Sequence, residues 1–96
     1  GVLYHLPSIL TSLVNVASCA KETLIIETLE DLEIQQDIPL LKFYPFDECY
    51  NDPTNWFVPN PKAVKSMLLC AGFKTIKEYH YSVGEFKRGV FQASHD

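Results

Sequence analysis

The sequence predicts a small α/β domain in the order helix, strand, long insertion, helix, strand, strand. Three observations predict it. Apolar residues recur at helical spacing in residues 8–20 and 61–71. Short runs rich in β-branched and aromatic residues occur at 23–30, 75–83 and 89–95. Between the first strand and the second helix lies a stretch with no sustained period.

The first helix is expected over Ser8 to Ala20. Ile9, Leu13, Val16, Ala17 and Ala20 form one apolar stripe, Pro7 blocks an earlier start, and Ser8 can cap the end. Next comes "TLIIETLE", residues 23–30. Leu24 and Ile26 point one way and Ile25 and Leu29 the other, so both faces are apolar, the pattern of an interior strand covered on two sides.

Residues 31–59 begin acidic, with Asp31, Glu33 and Asp37, and become aromatic. Phe43, Tyr44, Phe46, Tyr50, Trp56 and Phe57 are half of the chain's aromatics, which argues against disorder. The second helix has the plainest signals. Asn60 is an N-cap, Pro61 takes the first helical position, and Val64, Met67, Leu68 and Ala71 follow at core spacing. Gly72 supplies a left-handed C′ residue, and Phe73 is placed to pack back on the last turn. Strands at 75–83 and 89–95, joined by "GEFKR", read as an antiparallel hairpin. The first carries Tyr79, Tyr81 and Val83 on one side and Glu78, His80 and Ser82 on the other, which fits a half-exposed edge strand.

Ninety-six residues make one domain, small enough to bury only about two-thirds of its unfolded surface. The chain starts at Gly1 rather than Met, as expected of a trimmed chain or of part of a longer protein. With 47% hydrophobic and 21% charged residues it reads as soluble and globular, with no bilayer-length apolar run. The net charge of −4 conceals an asymmetry, because most acids precede Pro53 and most bases follow it. Lys62, Lys65, Lys74, Lys77, Lys87 and Arg88 are expected to form a solvated face, and the acidic pI of 5.2 disfavours strong nucleic-acid binding by the chain alone. Cys19, Cys49 and Cys70 form no disulfide framework, which suits a cytoplasmic setting, and Cys19 and Cys70 are expected to be buried thiols. No metal-ligand spacing, nucleophile elbow or phosphate loop is present, and the glycines at 1, 72, 84 and 89 make no glycine-rich turn. Asp47 and Glu48 are adjacent carboxylates, read first as solvated and second as an acid and base pair.

Two longer strings are more specific. "GVLYHLPS" opens the chain, and "FYPFDECYNDPTNWFVPN" runs into "AVKSMLLCAGF". Together they resemble the second half of class I S-adenosylmethionine-dependent methyltransferases, and within that class the family of tRNA wobble-uridine 5-methoxyuridine and 5-carboxymethoxyuridine methyltransferases. In that family a G-V-L-Y-H string follows the fourth strand. A helix, the fifth strand and a Y-P-G-D-E…DP-[ST]-N-W-W…PN insertion then lead to the last long helix and a closing antiparallel hairpin. The resemblance covers nearly the whole chain. Phe46 stands where the family has glycine, Phe57 where it has a second tryptophan, and Pro7-Ser8 inverts the more typical order.

The resemblance implies a partial Rossmann-like sheet of three strands with two helices on one face. Its last strand would be antiparallel, inserted beside "TLIIETLE", with 75–83 at the edge. It also implies truncation, because the first four strands, the glycine-rich loop and the ribose-binding acid have no counterpart here. By resemblance Tyr4 and His5 would flank the cofactor, and Asn55, Trp56 and Arg88, with Lys87 beside it, would face the substrate side. S-adenosylmethionine would belong to the intact family and not be bound by this chain alone, and a tRNA partner would need the missing half. For Tyr4 the alternative is a disordered terminus, and for Trp56 it is packing of the insertion on its own sheet. Two helices on one face leave the other bare, so a homodimer through that face and the aromatic insertion is expected. The alternative to an enzyme fragment is a non-catalytic truncated product that folds as a homodimeric binding module.

Overall fold

The computed structural model of the chain describes residues 9–19, 23–46 and 57–96. The elements are α1 (Ile9–Cys19), β1 (Thr23–Leu29), β2 (Leu41–Phe43), β3 (Phe57–Pro59), α2 (Pro61–Cys70), β4 (Thr75–Val83) and β5 (Phe86–Ser94). The main sheet has the order β1-β5-β4, and β5 runs antiparallel to both neighbours. β1 and β4 therefore run in the same direction with the last strand between them, as expected. A second, two-stranded sheet pairs β2 with β3.

Register decides which residues meet. Cross-strand partners share a face, so Leu24, Ala93 and Ile76 lie in one row and Ile26, Phe91 and Glu78 in the next. That face takes both helices. Leu13 and Ala17 of α1 and Ala63, Val64, Met67 and Leu68 of α2 close on Phe91 and Ala93 in one core, with Phe73 sealing the end. Each fully buried side chain of Val, Leu or Phe size contributes about 1.5–3 kcal/mol, so this cluster carries most of the fold.

Several expectations change at this point. Among the described residues β1 is an edge strand, and its two faces are covered unequally: Leu24 and Ile26 are half-buried under the helices, while on the opposite face Leu29 is buried against Val58 and Tyr44 but Ile25 is 66% exposed. An apolar residue on each side of a strand reports two covered faces only where elements exist to cover both. β4 shows the inverse of its expected polarity. Tyr79 and Val83 face solvent, at 66% and 57% exposure, while Ile76, Glu78 and His80 share the helix side. The reason is register: β4 is anchored by Ile76 opposite Ala93 in the core, and the acid and histidine that follow are neutralised there by partners described below. The stripe of α1 is narrower than predicted, with Leu13 and Ala17 buried but Val16 exposed, and Cys70 is exposed rather than a buried thiol.

The described part of the insertion, residues 31–46 and 57–59, pairs two short strands. Its three-residue strands are too short to show a period, and their cohesion comes from side chains. Phe43 and Phe57 pack at 5.1 Å across the β2–β3 pair. Leu29, Val58 and Tyr44 form a second small core. Asp31 is the pin beneath it. One carboxylate oxygen accepts from the backbone N–H groups of Glu33 (3.0 Å) and Ile34 (3.3 Å), and the other accepts from the Tyr44 hydroxyl at 2.6 Å.

Asn60 joins the insertion to the main core. It is fully buried and makes four side-chain hydrogen bonds. Its amide oxygen accepts from Ala63 N–H (2.8 Å), the expected N-cap, and from Leu40 N–H (3.1 Å). Its amide nitrogen donates to the carbonyls of Gln35 (2.8 Å) and Ile38 (2.7 Å). Those bonds satisfy both donors and both lone pairs of the side chain. At the other end of α2, Gly72 at φ +107° donates to Leu69 and Phe73 donates to Leu68, the paired bonds of a Schellman motif.

Asn60→Ala removes a cap and takes the side-chain partner from the carbonyls of Gln35 and Ile38 and from the Leu40 N–H, while Ala63 N–H keeps only its 3.1 Å bond to the backbone carbonyl of residue 60. It is expected to destabilise the fold by about 2–4 kcal/mol, read as a lowered urea midpoint. Asn60→Asp, which keeps the acceptors but sets a carboxylate against the two carbonyls, is expected not to restore it.

Candidate functional site

β1 ends at Leu29, and the next residue, Glu30, donates its N–H to Lys87 O at 2.9 Å, extending the β1–β5 ladder by one pair. Its side chain turns over Gly89 of β5. A Cβ built on Gly89 would collide with the Glu30 carboxylate and with the Phe91 ring, and Gly89 has no positive φ, so glycine is required there for space and not for backbone freedom. Through that gap Glu30 reaches β4. Its Oε1 lies 2.6 Å from His80 Nδ1, and His80 Nε2 lies 2.9 Å from Glu78 Oε1. Lys65 of α2 stands 3.9 Å from the other oxygen of Glu78. The imidazole edge meets Phe91 in a T-shaped contact at 5.7 Å.

The cluster is graded in exposure. The Glu30 side chain is inaccessible to solvent, while those of His80 and Glu78 are each about one-third exposed. Glu30 Oε2 is buried and has no hydrogen-bond partner among the described residues. Burial pushes the Glu30 carboxyl above its ordinary 4.5, partly offset by the charge and hydrogen bond of His80. Burial alone would lower His80, but the hydrogen bonds and charges of Glu78 and Glu30 together outweigh it and raise the imidazole above 6.5. With a carboxylate oxygen at each ring nitrogen, the doubly protonated imidazolium is the form that donates to both. The arrangement can hold protons and pass one between a buried carboxyl and solvent through the ring. Among the described residues no group of three or more His, Cys, Asp or Glu could hold a metal ion.

The opposite face of the sheet carries Arg88. Its Nε donates to Glu27 Oε1 at 3.1 Å. A hydrogen bond from Tyr81, with the charge and hydrogen bond of Arg88, holds Glu27 below its usual range, and Tyr81 itself is raised by burial and by Glu27. Arg88 therefore stands on the open face, away from Glu30 and His80. Of the other residues expected at the site, Tyr4, His5, Asn55 and Trp56 lie outside the described residues, as do Asp47 and Glu48. The cluster of Glu30, His80, Glu78 and Gly89 was not foreseen. One signal was available: a glycine inside a strand marks a close approach.

The described residues include three of the chain's four glycines. Gly72 and Gly84 sit in turns with positive φ, and the space beside Gly89 is filled by Glu30, so no glycine cradle exists among them. Compared with known proteins, the chain matches no family model, no curated protein and no solved structure. Among the described residues no helix is long and apolar enough to cross a membrane.

Two outcomes are expected. Gly89→Ala should displace the Glu30 carboxylate and cost about 1–3 kcal/mol, measured by urea unfolding. Both Glu30 and His80 have folded pKa values above the ordinary ones, so the folded state binds their protons more tightly. The stabilisation is complete below the unfolded values, near 4.5 and 6.5, and is lost as pH rises through the folded ones. The urea midpoint should therefore fall as pH rises above about 4.5, and His80→Gln should remove the part of that fall that lies above pH 6.5.

Proposed function

We propose that this chain is the C-terminal part of a class I S-adenosylmethionine-dependent methyltransferase-like sheet, of the kind that modifies tRNA wobble uridine. It supplies the closing hairpin and the substrate-side insertion and leaves the cofactor cradle to another half. The observation that carries the reading is the placement of β5, antiparallel, between β1 and β4. The two sequence strings lead independently to that order for the end of the sheet. The exposed free thiol of Cys70 goes with a cytoplasmic setting.

A second reading, a non-catalytic module that folds as a homodimer, is favoured by one observation. The sheet face opposite the helices exposes Ile25, Tyr79 and Val83. Calorimetry separates the two. The 96-residue chain titrated alone with S-adenosylmethionine is expected to give no heat of binding. Mixed with the N-terminal half of a family methyltransferase, it is expected to form a complex that does bind the cofactor. Tight binding by the chain alone would overturn the proposed division of labour. A mixture that forms no complex would overturn the methyltransferase reading and leave the module.

A further inference from the structure

We infer that the free edge of β1 is a strand-pairing surface whose occupant is β1 of a second copy, joining two three-stranded sheets into one of six strands about a twofold axis. The inference rests on the geometry of β1 in this chain by itself; in the methyltransferase reading the other half of the sheet would join at the same edge, so the two occupants compete for it.

The phase of the ladder comes first. The bond from Glu30 N–H to Lys87 O, taken with the register, places Leu24, Ile26 and Thr28 in the hydrogen-bonded pairs with β5. The N–H and C=O groups of Thr23, Ile25 and Glu27 then point away from β5. Among the described residues no strand lies on that side. Leu29 shares that outward phase, and the outward group after it, Asp31 N–H, donates to Pro59 O of β3 at 2.9 Å. The β2–β3 hairpin thus meets the edge just beyond Leu29 and limits the vacant length to β1 itself.

An open edge of this kind is normally blunted by proline, lysine or a bulge. β1 has none of these: it is seven residues long, unbroken in register against β5, and its one charge, Glu27, is held by Arg88 on its own sheet. The other edge strand, β4, carries Lys77, Glu78 and His80. Of the two edges of the main sheet, β1 is the one chemically suited to receive a strand.

The sequence of β1 complements itself. Antiparallel pairing centred on Ile25 sets Ile25 against the partner's Ile25 and Thr23 against the partner's Glu27, the outward-bonding positions in both copies. Leu24 then meets the partner's Ile26 on the helix side, where both residues are only half-buried in one copy, so the two cores become continuous. No like charges face each other. Centring instead on Glu27 would oppose two carboxylates and drive the incoming strand into the β2–β3 hairpin.

The test is sedimentation of the full chain over a range of concentrations, with circular dichroism as the check on folding. Ile25→Pro is the informative variant. The Ile25 N–H takes no part in the β5 ladder and the side chain is largely exposed, so proline removes the two symmetry-related bonds at the centre of the junction and spares the fold. The wild-type chain is expected to dimerise, and Ile25→Pro to weaken association by about tenfold or more with an unchanged spectrum. Should that variant unfold, Ile25→Lys, which opposes two lysines across the axis, is expected to weaken association to a similar degree. Tyr79→Lys, on the open face away from the edge, is expected to leave the dimer intact. A wild-type chain that stays monomeric at its highest soluble concentration would overturn the inference. So would a dimer that Tyr79→Lys disrupts and the Ile25 variants do not, because that dimer would be packed face to face.

Discussion

The buried amide of Asn60 is the constraint on which most of the molecule depends. One side chain starts α2, fixes the loop at Gln35, Ile38 and Leu40, and lies next to the strand whose Pro59 carbonyl receives Asp31. Both cores meet through it: α2 carries the larger, and β3 carries Val58 into the smaller. An amide suits this position because its donors and acceptors can each be matched with no charge left in the interior. A carboxylate would have nothing to donate, and a hydroxyl is too short to span from helix to loop.

The same economy governs the Glu30 cluster, with a charge in place of an amide. A carboxylate buried at the end of β1 is costly unless something cationic meets it. Gly89 opens the path across β5, and His80 answers on β4 while remaining in reach of water and Glu78. Three strands are tied in one row by an ionic contact that depends on a missing side chain. This also explains the unexpected polarity of β4. Glu78 and His80 are tolerated on the helix side because each has a partner there, and Tyr79 and Tyr81 are turned outward in consequence, their rings stacked at 6.1 Å.

What could be read from the sequence followed from local physics. The bounds of α2 rest on Asn60, Pro61 and Gly72, whose preferences are set within a few residues, and the structure places all three in the expected roles. β4 matches its predicted range for the same reason, and the position of β5 was anticipated by the resemblance. The edge position of β1 was not legible, because Ile25 looks the same whether or not something covers it. Nor were β2 and β3, whose three-residue pairing is imposed by Asp31, Asn60 and Tyr44 at long separation. The Glu30 and His80 pair lies fifty residues apart in sequence, and only the β1-β5-β4 order brings its members together. Of the residues the resemblance assigned to a site, Arg88 can be placed, and its neighbour is Glu27 of its own sheet.

The division of the interior into two unequal cores has a dynamic consequence. Among the described residues the smaller holds Leu29, Val58 and Tyr44, and much of its remaining cohesion is polar. Elements held by so few apolar contacts open at lower free energy than the body they adjoin. Among the described residues the segment from Asp31 to Tyr44 is therefore the first to swing away from the rest, once the bonds of Asn60 to Gln35, Ile38 and Leu40 release it. A protease that requires an extended substrate would cut there while α1, α2 and the three long strands remained assembled.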